Sequence, residues 1–125
     1  MSRSIDDLLE ACRARIDRVQ PDDLTAEQAA GALVVDIRPI EQRQRDGDLP
    51  GAIHIDRNVL EWRLDPACEH RIADTAYDRR VIVVCNEGYA SSLAAATLRD
   101  LGLDRAADLA GGYQAWKAVS TRDQP

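Results

Sequence analysis

Cys85 is the residue of this chain best placed to do chemistry. It closes the run Val81-Ile82-Val83-Val84-Cys85 and opens Asn86-Glu87-Gly88-Tyr89-Ala90-Ser91-Ser92. A thiolate is a strong nucleophile, and nearby N–H groups stabilise its charge. Four β-branched residues after Arg79-Arg80, followed by a polar turn containing Gly, predict a strand covered on both faces, as in a parallel sheet. Cys85 then stands at the carboxyl edge of that sheet, where open α/β folds bind ligands. From Ser91 to Leu101 the chain is rich in Ala and Leu and stops at Gly102, which predicts a helix whose first turn faces the thiol. Its unpaired N–H groups and the positive end of its dipole favour an anion there. The competing reading of Cys85 is a small apolar residue ending a buried strand.

The elements that must position this thiol come from both sides of it in sequence. Ile5, Leu8, Leu9, Cys12, Ile16 and Val19 recur at helical spacing, with Ser4 and Asp7 in capping positions. They predict an amphipathic helix from Ser4 to Val19, so residues 1–20 read as an extension of the domain, with Cys12 on the apolar face. Pro21-Asp22-Asp23 breaks the chain, and Thr25 with Gln28 forms a second capping box ahead of a short helix to Gly31. Leu33 to Ile37 is a buried strand. Asp36 and Arg38 alternate with Ile37 and point to the same side, as a salt bridge or loop anchor.

Pro39 to Arg45 suits a polar helix ended by Asp46-Gly47, and Ala52 to Ile55 a short strand in which His54 is structural. Arg57 to Leu64 reads as a helical turn or two, with Trp62 as core or rim packing. Ala67 to Tyr77 reads as loop and short helix, leaving Cys68 and His70 exposed and without a role. Arg105 to Leu109 is a weak last strand, Gly111-Gly112 turns into a final helix with Trp116 inward, and residues 121–125 form a frayed tail. Strands alternating with helices imply an α/β fold with a mostly parallel sheet covered on both faces.

A chain of 125 residues holds one domain with a proper core. Its net charge of −6 argues against nucleic acid or an anionic membrane as partner. No apolar run approaches the ~20 residues a spanning helix needs. Arg3, Asp6, Asp7 and Glu10 stand where a secretory signal would be apolar, so the expected location is cytoplasmic. Three widely spaced cysteines, Cys12, Cys68 and Cys85, suggest reduced thiols. With two histidines and no Cys-x-x-Cys pair, neither a metal site nor a cofactor is implied.

Taken in order, four pieces between about Leu24 and Trp116 resemble the rhodanese family of sulfurtransferases. They are Leu33-Val34-Val35-Asp36-Ile37-Arg38, Pro50-Gly51-Ala52-Ile53-His54-Ile55, the Cys85 loop, and Gly111-Gly112-Tyr113-Gln114-Ala115-Trp116. The resemblance implies a rhodanese-like three-layer fold over residues 21–120, with about five strands. It further implies sulfur transfer through a Cys85 persulfide, between a small-molecule or protein-bound donor and a thiol or cyanide acceptor. In that reading Asn86, Glu87, Gly88, Tyr89, Ala90 and Ser91 cradle the sulfur and bind substrate, and Asp36 and Arg38 support the site.

Cysteine phosphatases share a related loop but require an Arg six positions after the Cys to clamp phosphate; here that position is Ser91. The loop also departs from thiosulfate-using rhodaneses, whose basic side chains beside the cysteine are replaced by Asn86 and Glu87. A carboxylate there repels thiosulfate unless Arg38, Arg57 or Arg63 supplies the missing charge, so the reading favours a persulfide donor. The competing class is a binding or regulatory module that keeps the fold without turnover. Oligomeric state is not legible.

Overall fold

The run Val81–Val84 forms β4, the middle strand of a five-stranded, wholly parallel sheet, and all four residues are buried. The computed structural model describes residues 2–122. On one side β4 pairs with β2 (Leu33–Asp36), Val83 opposite Val35, and β2 carries β3 (Ile53–His54) at the sheet edge. On the other side it pairs with β5 (Ala107–Leu109), which carries β1 (Asp17–Val19) at the opposite edge.

Alternation along the strands divides the core in two. Leu33, Val35, Val81 and Val83 pack with Cys12, Leu60, Leu64, Ala94 and Leu98, so α1 (Ile5–Arg13), α4 (Leu60–Leu64) and α5 (Ala90–Asp100) cover one face. Val34, Ile82, Val84, Ala107 and Leu109 pack with Leu24 and Tyr113, so α2 (Leu24–Ala29) and α6 (Gly112–Arg122) cover the other. The helix α3 (Ile40–Asp46) buries no residue. These three layers are the expected fold. Among the described residues no helix is long and apolar enough to cross a membrane.

The predicted helix from Ser4 to Val19 is only half right. Ser4 Oγ accepts from Asp7 N–H at 3.0 Å and caps α1, and Cys12 is buried, but the helix ends at Arg13. Asp17, Arg18 and Val19 instead pair with Ala107, Asp108 and Leu109. Ile16 and Val19 satisfy helical and extended burial alike, and the open edge of β5 decides between them.

Smaller departures have similar causes. The side chain of Thr25 caps nothing: α2 begins at Leu24, and Gln28 Nε2 donates to the Pro50 carbonyl at 3.0 Å. No helix forms between Ala67 and Tyr77. Cys68 is half-buried, and Trp62 is 58% exposed rather than core. The helix α6 runs on to Arg122, which pairs with Asp22 at 3.0 Å, while residues 123–125 of the predicted tail lie outside the described residues.

Arg80, just before β4, ties the β1 edge to α2: it bonds Asp17 Oδ2 at 2.8 Å and Glu27 Oε2 at 3.2 Å. The hydrogen bond from Arg80 holds the Asp17 carboxyl below the usual carboxylate range. A carboxyl held down in the folded state stabilises it above that range and loses the contribution as pH falls through it. Asp17 is largely exposed, so the effect is screened and small. Asp17→Asn is expected to lower the melting temperature by about one to three degrees near neutral pH, with the two proteins melting together at about pH 2, measured by circular dichroism.

Candidate active site

The sheet delivers Cys85 to its carboxyl edge, and the loop that follows curls back over the sulfur. Gly88 N–H and Ser91 N–H donate to Cys85 Sγ at 3.1 and 3.3 Å, and Ser91 Oγ lies 3.2 Å from it. The sulfur thus sits at the first turn of α5, beside amides that helix geometry leaves unpaired. Cys85 is only 7% exposed, and it lines a cavity of about 370 Å³ with Ile37, Arg38, Pro39, Gln42, Arg57, Asn86, Glu87, Tyr89 and Ala90.

The loop backbone is held from two directions. The first amides of α6 meet its carbonyls: Tyr113 N–H donates to Cys85 O at 2.9 Å and Gln114 N–H to Asn86 O at 3.1 Å. Gly112 permits that approach, since a Cβ there would stand 2.6 Å from Cys85 O and its φ of 65° is left-handed. From the other direction Arg13 Nη2 and Arg18 Nη2 both donate to the Gly88 carbonyl, at 2.7 and 2.9 Å. Gly88 itself has φ 87° and no room for a Cβ, which would lie 2.7 Å from Gly111 N. Beneath the loop, the fully buried Asp108 of β5 accepts from Ser91 Oγ at 2.8 Å, from Ser92 Oγ at 2.7 Å and from Arg18 Nε at 3.0 Å.

The family model for the rhodanese-like domain matches residues 20–119 of this chain. The chain belongs to that family. Thiosulfate sulfurtransferase GlpE of Stutzerimonas stutzeri is 32% identical to it over 106 residues, covering 85% of this chain and 89% of that protein. A protein of unknown function from Rhodopseudomonas palustris, described as a possible tyrosine phosphatase, is 30% identical with a TM-score of 0.86, over 96% of this chain and 93% of its own. The human single-domain sulfurtransferase TSTD1 shares the fold, with a TM-score of 0.68 at 24% identity over 86% of this chain and 97% of its own.

In this rhodanese-like domain the expected residues 85–91 form one continuous cradle. Asn86 Oδ1 accepts from Gln114 Nε2 at 3.0 Å; Glu87 is exposed at the rim; Tyr89, 58% exposed, stands under the Arg13 guanidinium 5.5 Å from its ring centre. Asp36 and Arg38 form a buried pair, with Arg38 Nη2 2.8 Å from Asp36 Oδ2 and 2.9 Å from Gly47 O. The Arg38 guanidinium stacks 3.7 Å from the centre of the Tyr113 ring. His54 Nε2 contacts the Arg38 carbonyl at 3.0 Å and so braces this pair. Arg57 reaches the cavity with its Nη1 bonded to both Glu61 oxygens, at 2.8 and 2.9 Å. Arg63 is not brought to the site: it is exposed and bonds the His70 carbonyl. Among the described residues no group of three or more His, Cys, Asp or Glu side chains converges as a metal site.

Sequence reasoning missed Arg13, Arg18 and Asp108. Only Asp108 left a signal, a carboxylate inside the apolar stretch Ala106-Ala107-Asp108-Leu109-Ala110, where burial demands a partner. Arg13 and Arg18 sat in a segment read as one helix, with nothing to mark them. Gly112→Ala is expected to cost about 1–3 kcal/mol in urea unfolding and to slow alkylation of Cys85, because the loop must retreat from α6. A variant as stable and reactive as the natural protein would show that this contact does not set the loop.

Proposed function

We propose that the protein is a sulfurtransferase that carries a sulfane sulfur as a persulfide on Cys85. The observation that carries this reading is the sulfur itself, held by two backbone N–H groups at the base of an open cavity. Such donors stabilise a thiolate and, after loading, the terminal sulfur of a persulfide anion. The Cys85 thiolate attacks the outer sulfur of a donor R–S–S⁻, the S–S bond of the donor breaks, and R–S⁻ leaves with the bonding pair. The loaded Cys85–S–S⁻ passes its outer sulfur to an acceptor thiolate or cyanide and returns to Cys85–S⁻. The GlpE relatives are named thiosulfate sulfurtransferases, which supports sulfur transfer as the reaction class.

Charge in the cavity favours a persulfide donor, small or protein-bound, over thiosulfate. Arg38 is neutralised by Asp36 and Arg57 by Glu61, while Glu87 adds a carboxylate at the rim. A doubly negative donor finds no uncompensated cation there. A phosphatase is disfavoured on similar grounds: Ser91 occupies the place of the phosphate-clamping Arg, and Arg13 and Arg18 are spent on the Gly88 carbonyl.

Intact-mass spectrometry after exposure to glutathione persulfide is expected to show one added sulfur on the natural protein and none on Cys85→Ser. No addition from a persulfide or from thiosulfate would leave a binding module. Glu87→Arg is expected to raise kcat/KM for thiosulfate about ten-fold while changing persulfide turnover little. Unchanged thiosulfate kinetics would sink the electrostatic account.

A further inference from the structure

Ser91 has one hydroxyl proton and two neighbours that can take it. Asp108 Oδ2 lies 2.8 Å from Ser91 Oγ, and Cys85 Sγ lies 3.2 Å away on the other side. Asp108 is fully buried and bonded by Arg18 at both oxygens, Nε to Oδ1 at 3.0 Å and Nη2 to Oδ2 at 3.2 Å, which is the setting of an ionised carboxylate. A carboxylate outbids a thiol for a hydroxyl proton. Ser91 therefore donates to Asp108 and offers a lone pair to Cys85, so the third contact of the resting sulfur is S–H donating to Ser91 Oγ.

That contact fails once the sulfur is charged, because a thiolate or persulfide anion facing a lone pair is repelled. We infer that Ser91 is a polarity switch whose setting Asp108 governs as a positioning residue: it donates to Asp108 while Cys85 is protonated, and turns its proton to the sulfur when Cys85 is charged. On ionisation Cys85 loses its proton to solvent, and the Ser91 O–H rotates about its C–O bond from Asp108 Oδ2 to Sγ. No covalent bond of Ser91 or Asp108 breaks. Asp108 keeps the Ser92 hydroxyl at 2.7 Å and both Arg18 bonds throughout, so its charge stays satisfied in either setting. The adjacent serines thus divide the work: Ser92, whose hydroxyl lies 2.7 Å from Asp108 Oδ2 and 3.3 Å from the Gly88 carbonyl, keeps the shorter bond to Asp108, and Ser91 is the one that moves.

The charged groups facing this network are few. Arg18 comes from β1; Arg13 from α1 donates to Ser92 Oγ at 3.1 Å; Glu87, Arg38 and Arg57 face the sulfur from the cavity. Arg18 loses a partner when Asp108 is replaced and Arg13 loses one when Ser92 is replaced, and each loss is the same with or without the Ser91 hydroxyl, so the comparison of the two backgrounds reports the switch.

This inference deepens the sulfurtransferase reading but is tested without sulfur transfer, by the pH profile of iodoacetamide alkylation at Cys85, followed by peptide mass. Asp108→Asn is expected to release Ser91 and to raise the alkylation rate at pH 6 about five-fold, moving the profile to lower pH. In a Ser91→Ala background the same change is expected to give less than about two-fold. Ser92→Ala makes Asp108 hold Ser91 harder; it is expected to slow alkylation about two- to three-fold, and to do nothing further once Ser91 is Ala. Equal effects with and without Ser91 would reduce Asp108 to a through-space charge and overturn the switch. If Asp108→Asn does not fold by circular dichroism, the Ser91/Ser92 pair of variants decides alone. A protein that shows this coupling yet takes up no sulfur would refute the proposed function and leave the switch standing.

Discussion

A carboxylate with no exposure to water cannot stand alone inside a protein, and the requirement to pair Asp108 organises this one. Its partners are Arg18 of the edge strand β1 and the hydroxyls of Ser91 and Ser92 in the first turn of α5. One buried charge therefore joins the N-terminal segment, the strand beside β4 and the helix start that faces the thiol. Arg18 then continues to the Gly88 carbonyl, where Arg13 joins it, so the loop over Cys85 is moored to elements far from it in sequence. Removing Asp108 takes away the acceptor that Arg18, Ser91 and Ser92 share, which costs more than any one of those bonds.

A second buried pair performs the same duty on the opposite side of the cavity. Arg38 is 1% exposed, takes Asp36 and Gly47 as hydrogen-bond partners, and stacks on Tyr113 of α6. The first turn of α6 in turn supplies the amides that donate to the Cys85 and Asn86 carbonyls. Both walls of the cradle are thus fixed by polar contacts made inside an apolar core, where they are strongest and least tolerant of displacement. The apolar layers above and below the sheet supply the stability, and the two buried pairs supply the position of the sulfur.

Positive charge near the thiol is plentiful in composition and scarce in effect. Arg13, Arg18, Arg38 and Arg57 all lie near the loop, yet each is committed to a carboxylate or a carbonyl. The sulfur is stabilised by dipoles instead, from the Gly88 and Ser91 amides. Dipoles fixed in the backbone support a charge that comes and goes, whereas a cation beside the sulfur would favour one state throughout.

The layered α/β architecture was legible because it depends on local pattern. A β-branched run, a Gly-bearing turn and an Ala-rich segment place Cys85 between a buried strand and a helix start, and alternation puts Asp36 and Arg38 on one side. Pattern of that kind states which side of an element faces inward. It does not state which distant group arrives there. Ile16 and Val19 fit a helix as well as a strand, and only the open edge of β5 made Asp17–Val19 extended. Arg18 and Asp108 are 90 residues apart and meet because β1 and β5 are neighbours in the sheet; Arg57 and Arg63 are close in sequence, and only Arg57 reaches the cavity. Sequence periodicity determined the scaffold and the place of Cys85 at the end of a buried strand, because burial follows from local spacing. Strand order determined the sulfur's hydrogen-bonding network and the charge around it, because those depend on partners that only the assembled sheet brings within reach.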